Sequence, residues 1–159
     1  MNPAYKQPTS SQSNWHESFV GTMDGIFAAG QWLNTITIGL ELPEQTVFAL
    51  QLCLEELLSN IVRHGGTGHW NSSGDVSENM MPPLNIEVAL DIDSQRVIMT
   101  VEDDGKPFNI ESASVHAIDR PLGEIEPGGL GIQLVKNFVS RLSYERAGLG
   151  NRVLVEFLR

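Results

Sequence analysis

The chain of 159 residues is poor in several things, and each shortage removes a class of function. It holds one cysteine, Cys53. A lone cysteine makes no intrachain disulfide and no zinc cluster, so a reducing compartment is expected, with Cys53 as a small core hydrophobe. Basic residues are outnumbered: Lys and Arg total 10 against 20 Asp and Glu, a formal net charge of -10. That argues against nucleic acid or a membrane surface as partner, since both want a basic patch. No apolar run reaches the ~18 residues of a membrane span, and the N-terminus has no charged-then-apolar leader pattern. A cytoplasmic protein is expected. His16, His69 and His116 have no metal-ligand spacing with each other or with carboxylates, which disfavours a zinc site. No Gly-Lys-Ser/Thr follows the glycine-rich stretch near 128–131, so a lysine-cradled phosphate loop is not indicated.

What remains is ordinary globular composition, 41% hydrophobic and 19% charged, in a length suited to one domain. Residues 1–13 are polar, carry two prolines and read as a flexible tail; residues 14–159 read as a single domain. Apolar positions in 17–38 are spaced mostly as in a helix. Pro43 ahead of Glu44 starts a second helix, expected to run to about His64 and to stop at Gly65-Gly66. Its stripe is Val47, Leu50, Leu54, Leu57, Leu58 and Ile61. The Gly/Ser/Asn-rich stretch 65–83 is a long loop. Strict alternation predicts strands at 84–92 and 97–103, joined by an Asp93-Ser94-Gln95 turn. Residues 109–127 lack firm periodicity. A helix is expected from about Gly129 to Leu142, then strands near 142–147 and 151–158. This order suggests an α+β fold: a two-layer α/β sandwich with a mixed, mainly antiparallel sheet and helices on one face.

Three segments carry chemistry. Glu56 and Asn60 lie one helical turn apart, roughly 40° around the axis, on the flank of the apolar stripe. An amide oxygen suits Mg²⁺, and a carboxylate one turn away can take a proton from an attacking hydroxyl. The bland alternative is a solvated polar pair. Glu55 competes with Glu56 but falls on the exposed side. Asp103 continues the inward parity of Val97, Met99 and Val101, so its carboxylate points toward the core and can accept from an adenine amino group. The alternative is an Asp that caps the Asp104-Gly105 turn. Gly105 allows close approach of a flat base, and Phe108 supplies an apolar wall. Gly128, Gly129, Leu130 and Gly131 open the last long helix and leave backbone N–H groups for phosphate. His64 is read as a structural residue at the rim.

Glu-x-x-x-Asn on a helix, Asp-x-Gly-x-Pro-Phe after a strand, and Gly-Gly-Leu-Gly opening a helix resemble the GHKL (histidine-kinase-like) ATPase superfamily. The run Gly128–Val135, the Pro107-Phe108 pair, and Tyr144-Glu145-Arg146 with Asn151-Arg152 resemble its small single-domain branch, the anti-sigma-factor serine/threonine kinases. The resemblance covers about residues 20–159. It implies an ATP- and Mg²⁺-dependent protein kinase in which Asn60 ligates Mg²⁺, Glu56 is the base and Asp103 recognises adenine. It implies also that Gly129 and Gly131 hold phosphates under a lid at 109–127. The implied partners are a small anti-sigma-factor antagonist and a sigma factor; self-association as a homodimer is left open. The 67–83 loop is long for this branch. The competing expectation is a catalytically inactive nucleotide-binding interaction module.

Overall fold

A computed structural model describes residues 13–65, 83–108 and 136–159. The glycine motif at 128–131, the expected 109–127 lid and nearly all of the 65–83 loop lie outside the described residues. The element order is β1 (Ser13–Val20), α1 (Met23–Ile38), α2 (Glu44–Asn60), a π-helical turn (Ile61–Gly65), β2 (Asn85–Ile92), β3 (Arg96–Asp103), β4 (Arg141–Ala147) and β5 (Gly150–Leu158). The strands form one sheet in the order β1-β2-β3-β5-β4. The architecture is the expected α+β sandwich, and every pairing among the described strands is antiparallel.

Alternation decides the inner face. Ile86, Val88, Leu90 and Ile92 of β2, Val97, Met99 and Val101 of β3, and Val153, Val155 and Phe157 of β5 are all buried. Against them lie Ala49, Leu50, Cys53, Leu54, Leu57 and Leu58 of α2, with Ala29 and Leu33 of α1. The β2–β3 hairpin is closed by Asp93, whose Oδ1 accepts from the backbone N–H of Gln95 at 2.8 Å and of Arg96 at 3.0 Å. These hydrogen bonds hold the Asp93 carboxyl below the usual range, the Gln95 N–H contributing most. The β4–β5 hairpin turns at Gly148, whose φ of +62° is cheap only for glycine.

Three expectations need correction. Residues 17–20 are the end of β1, not the start of a helix, and Ser13, placed with the tail, is the first residue of that strand. Thr22 sets the true helix start: its hydroxyl accepts from the Gly25 N–H at 3.1 Å. The strand is made by pairing with β2, some seventy residues away (Ser13↔Ile92 to Val20↔Asn85), which local spacing does not reveal. The expected last helix also overran. Lys136 is its final helical residue, and Leu142 lies in β4 opposite Val155. Phe138, Val139 and Leu142 all pack on the core, so they continued an apolar stripe across a change of structure. Lastly, α2 keeps regular winding only to Asn60. The last residues before Gly65 widen into a π-helical turn, a feature common at functional sites.

Leu54 sits deep between α2 and the sheet, whereas Leu149 at the β4–β5 turn is 89% exposed. Leu54→Ala is expected to lower unfolding free energy by about 2–5 kcal/mol, and Leu149→Ala to stay within about 0.5 kcal/mol. Urea unfolding followed by circular dichroism reads both.

Candidate functional site

The end of α2 carries two polar side chains into a mostly apolar layer. Asn60 is 4% exposed, and its amide nitrogen has no hydrogen-bond partner among the described residues. One turn earlier, Glu56 is half-buried, and its Oε2 is likewise sealed from solvent without a partner. Unmade hydrogen bonds of this kind are expensive, and native proteins keep them where a ligand or water completes them. Burial lifts the Glu56 carboxyl above the ordinary range, the Glu55 charge adds to the effect, and Arg63 opposes it. Glu55 itself is exposed, as its helical position predicted. Cys53 is buried, and desolvation, then the Glu56 charge, pushes its thiol up to about 12, so it is inert at neutral pH.

Across the cleft, Asp103 ends β3 with its side chain turned inward, 8% exposed. Its Oδ1 accepts from the Gly105 N–H at 2.8 Å and from Asn151 Nδ2 at 2.9 Å. The turn-capping reading and the inward reading of Asp103 therefore both hold, on one oxygen. Among the described residues, the hydrogen bonds of Asp103 all fall on Oδ1. Burial raises the Asp103 carboxyl; the Asn151 and Gly105 hydrogen bonds pull it down, Asp104 pushes up, and Arg146 pulls down more weakly.

Asn151 is the hub of this wall and was not singled out as a site residue from the sequence. It is 3% exposed and uses its full hydrogen-bonding capacity. Its Nδ2 donates to Asp103 Oδ1 and to the Lys106 carbonyl at 2.8 Å, while its Oδ1 accepts from Tyr144 Oη at 2.8 Å and Arg146 Nη1 at 2.9 Å. Arg146 Nη1 also donates to the Gly105 carbonyl at 2.8 Å, and its Nη2 donates to the Leu149 carbonyl. Tyr144, Arg146 and Asn151 had stood out in the sequence only through resemblance. No local pattern marks an Asn in a final strand as the partner of an Asp 48 residues earlier.

Glycines let these walls meet. A Cβ on Gly105 would lie 2.7 Å from Asp103 Oδ1 and 2.8 Å from the Gly65 carbonyl; one on Gly150 would lie 2.2 Å from the Asp103 carbonyl oxygen. The Lys106 N–H donates to the Gly65 carbonyl at 2.9 Å, tying the 105–108 loop to the π-helical turn. Between the walls is a small cleft lined by Leu57, Asn60, Ile61, Gly65, Val101, Asp103, Phe108, Asn151 and Val153. The structure thus brings together Asn60, Asp103 and Phe108, with Gly105 bonded to Asp103. Glu56 stands one turn back along α2, outside the lining. Gly129, Leu130 and Gly131 lie outside the described residues.

An apolar slot with a single inward acceptor and an unpartnered amide at its edge fits a flat base joined to an anionic group. The family of histidine kinase-like ATPase domains matches residues 25–157. This chain belongs to that family. The serine/threonine-protein kinase BtrW of Bordetella bronchiseptica is 30% identical to it over 116 residues, 72% of either chain. Among solved structures, the histidine kinase domain from the Erythrobacter litoralis EL346 blue-light activated histidine kinase is 17% identical. It superposes with a TM-score of 0.49, covering 87% of this chain, which spans 60% of that one. Membership in an ATPase-domain family implies that the chain binds ATP.

The sign of the Asp103 shift makes a test possible. Its folded-state pKa is raised, so its stability contribution is full below the ordinary carboxylate range and is lost as pH rises through the folded value. Asn at this position keeps an oxygen for the Gly105 and Asn151 donors and removes the buried charge. Asp103→Asn should therefore unfold no earlier than the wild type at neutral pH, with the difference closing in acid, by thermal melts across pH. The same variant should bind ATP about 10- to 100-fold more weakly by calorimetry, the value of one hydrogen bond to a charged acceptor. Asn151→Ala removes one hydrogen bond each from Asp103 Oδ1, the Lys106 carbonyl, Tyr144 and Arg146. It should cost about 1–3 kcal/mol in urea unfolding and weaken ATP binding as well.

Proposed function

We propose that this protein is an ATP-dependent serine/threonine protein kinase of the anti-sigma-factor type. Its substrate is a small antagonist protein in a partner-switching pathway, and a sigma factor is the partner bound in exchange. The observation that carries this reading is the pair of buried, unpartnered polar atoms on Glu56 and Asn60, one turn apart beside the cleft. A domain that only clasped nucleotide would have little use for a half-buried carboxylate with a raised pKa at that place. The relation to BtrW, named as a serine/threonine-protein kinase, supports the same class.

Each residue has a task in this reading. Asp103 Oδ2 accepts from the exocyclic amine of adenine, Gly105 lets the base approach, and Phe108 walls the slot. Asn60 offers its amide oxygen to Mg²⁺. Among the described residues, no group of three or more His, Cys, Asp or Glu side chains could hold a metal by itself. An ion entering with the nucleotide, coordinated mainly by phosphate and water, fits that donor set. When bound, Mg²⁺ would neutralise phosphate charge during transfer. Gly129, Leu130 and Gly131 are assigned to the phosphates through their backbone N–H groups, with 109–127 as the lid. Glu56 takes the proton from the attacking serine or threonine hydroxyl as its oxygen bonds to the γ-phosphorus and ADP departs. Burial moves Glu56 toward working pH, which makes a carboxylate a more effective base. No described helix is long and apolar enough to cross a membrane, in keeping with a cytoplasmic role.

The test is phosphoryl transfer to a candidate antagonist, read by mass spectrometry as the gain of one phosphoryl group. Glu56→Gln should retain ATP binding and lose roughly 10²–10⁴-fold in transfer rate. In the wild type the rate should fall as pH drops through the raised Glu56 pKa, an inflection above the ordinary carboxylate range that Glu56→Gln abolishes. Unchanged transfer in Glu56→Gln removes Glu56 from the base role. Nucleotide-dependent partner binding with no mass gain would replace the kinase reading with an inactive interaction module.

A further inference from the structure

His64, in the π-helical turn that follows α2, has no task in the proposed chemistry. It is exposed, yet its ring is not loose: it stacks on Phe108 with centroids 5.0 Å apart and planes 9° from parallel. Phe108 in turn lines the cleft. A change of helical winding and two contacts bring these rings face to face. The π-helical turn Ile61–Gly65 carries His64 off the regular winding of α2. The Lys106 N–H holds the Gly65 carbonyl at 2.9 Å. Gly105 is pressed against Gly65 so closely that an added Cβ would lie 3.0 Å from the Gly65 Cα. A backbone hydrogen bond and a ring stack thus join adjacent residues of one element, Gly65 and His64, to nearby residues of the other, Lys106 and Phe108.

We propose that His64 is a positioning residue for adenine nucleotides. Stacked on the far side of Phe108, its imidazole holds that ring in the cleft wall and fixes the base-side loop 105–108 to the helix end that carries Asn60. The imidazole acts through its flat face, without proton transfer and without touching phosphate. The inference rests on the cleft binding ATP but not on kinase activity, so it is read by binding alone.

The experiment is calorimetry of ATP and ADP, with Mg²⁺, on the full chain. Wild-type protein comes first; if it binds neither nucleotide, the ATP reading itself fails before His64 is at issue. Given wild-type binding, His64→Ala should weaken ATP and ADP by the same factor, roughly 3- to 10-fold, the scale of one aromatic pair. His64→Phe, which keeps a flat ring without nitrogens, should restore affinity. Phe108→Ala and the double variant His64→Ala/Phe108→Ala should bind alike, because the stack is lost in both. Affinity unchanged in His64→Ala overturns the proposal, as does failure of His64→Phe to rescue or additive loss in the double variant. Weakening confined to ATP would also overturn it, since that result places His64 at the γ-phosphate. Thermal melts of each variant separate these losses from unfolding: His64 is exposed, and its variants should melt with the wild type.

Discussion

The cleft depends on one buried hydrogen bond, from Asn151 to Asp103. These residues face each other in the register of β3 and β5, at the end of the sheet where the inner face opens. A carboxylate there is costly unless it is partnered. Asn151 meets that cost with one hand of its amide and anchors itself with the other, through Tyr144 and Arg146. Because Asp103 Oδ1 is fully engaged, Oδ2 is left with a fixed aim. Among the described residues Asp103 is the one carboxylate in the cleft lining, and a side chain on the last strand holds it.

The opposite wall obeys a different constraint. α2 is held to the sheet by its apolar stripe, which continues through Leu57 and Leu58 to Ile61 at the cleft. Asn60 is carried there still buried but without a partner, at a cost of about 1–3 kcal/mol for an unmade hydrogen bond. The two walls are thus complementary in chemistry. One is saturated internally and offers a single directed acceptor. The other is unsaturated and offers a carboxylate and an amide. Gly105, at the point where the walls touch, allows a contact that a side chain there would block.

Charge gives the arrangement its character. A chain with a net charge of -10 cannot attract a nucleotide by its overall field. Recognition has to come from short-range, directed groups inside a small apolar slot, where local dielectric strengthens each of them. Arg146, a cation of this wall, is spent on bracing Asn151 and the Gly105 carbonyl. Its work is structural, keeping the acceptor side rigid.

The amino-acid sequence alone determined the parts set by local periodicity. Strict alternation in β2 and β3 announced two strands, and the continuing parity placed Asp103 inward before any contact was known. Helical spacing put Glu56 and Asn60 on one flank and Glu55 outside. Only tertiary structure decided what depends on distant pairing. Residues 17–20 form a strand because β2 lies beside them, and Leu142 leaves the helical stripe because Val155 pairs with it. Asn151 became the hub, and His64 met Phe108, because the fold closes segments separated by dozens of residues. A local pattern records which way a side chain faces. It does not record what it faces, since that is set when the hydrophobic layer brings remote strands and helix ends to one place.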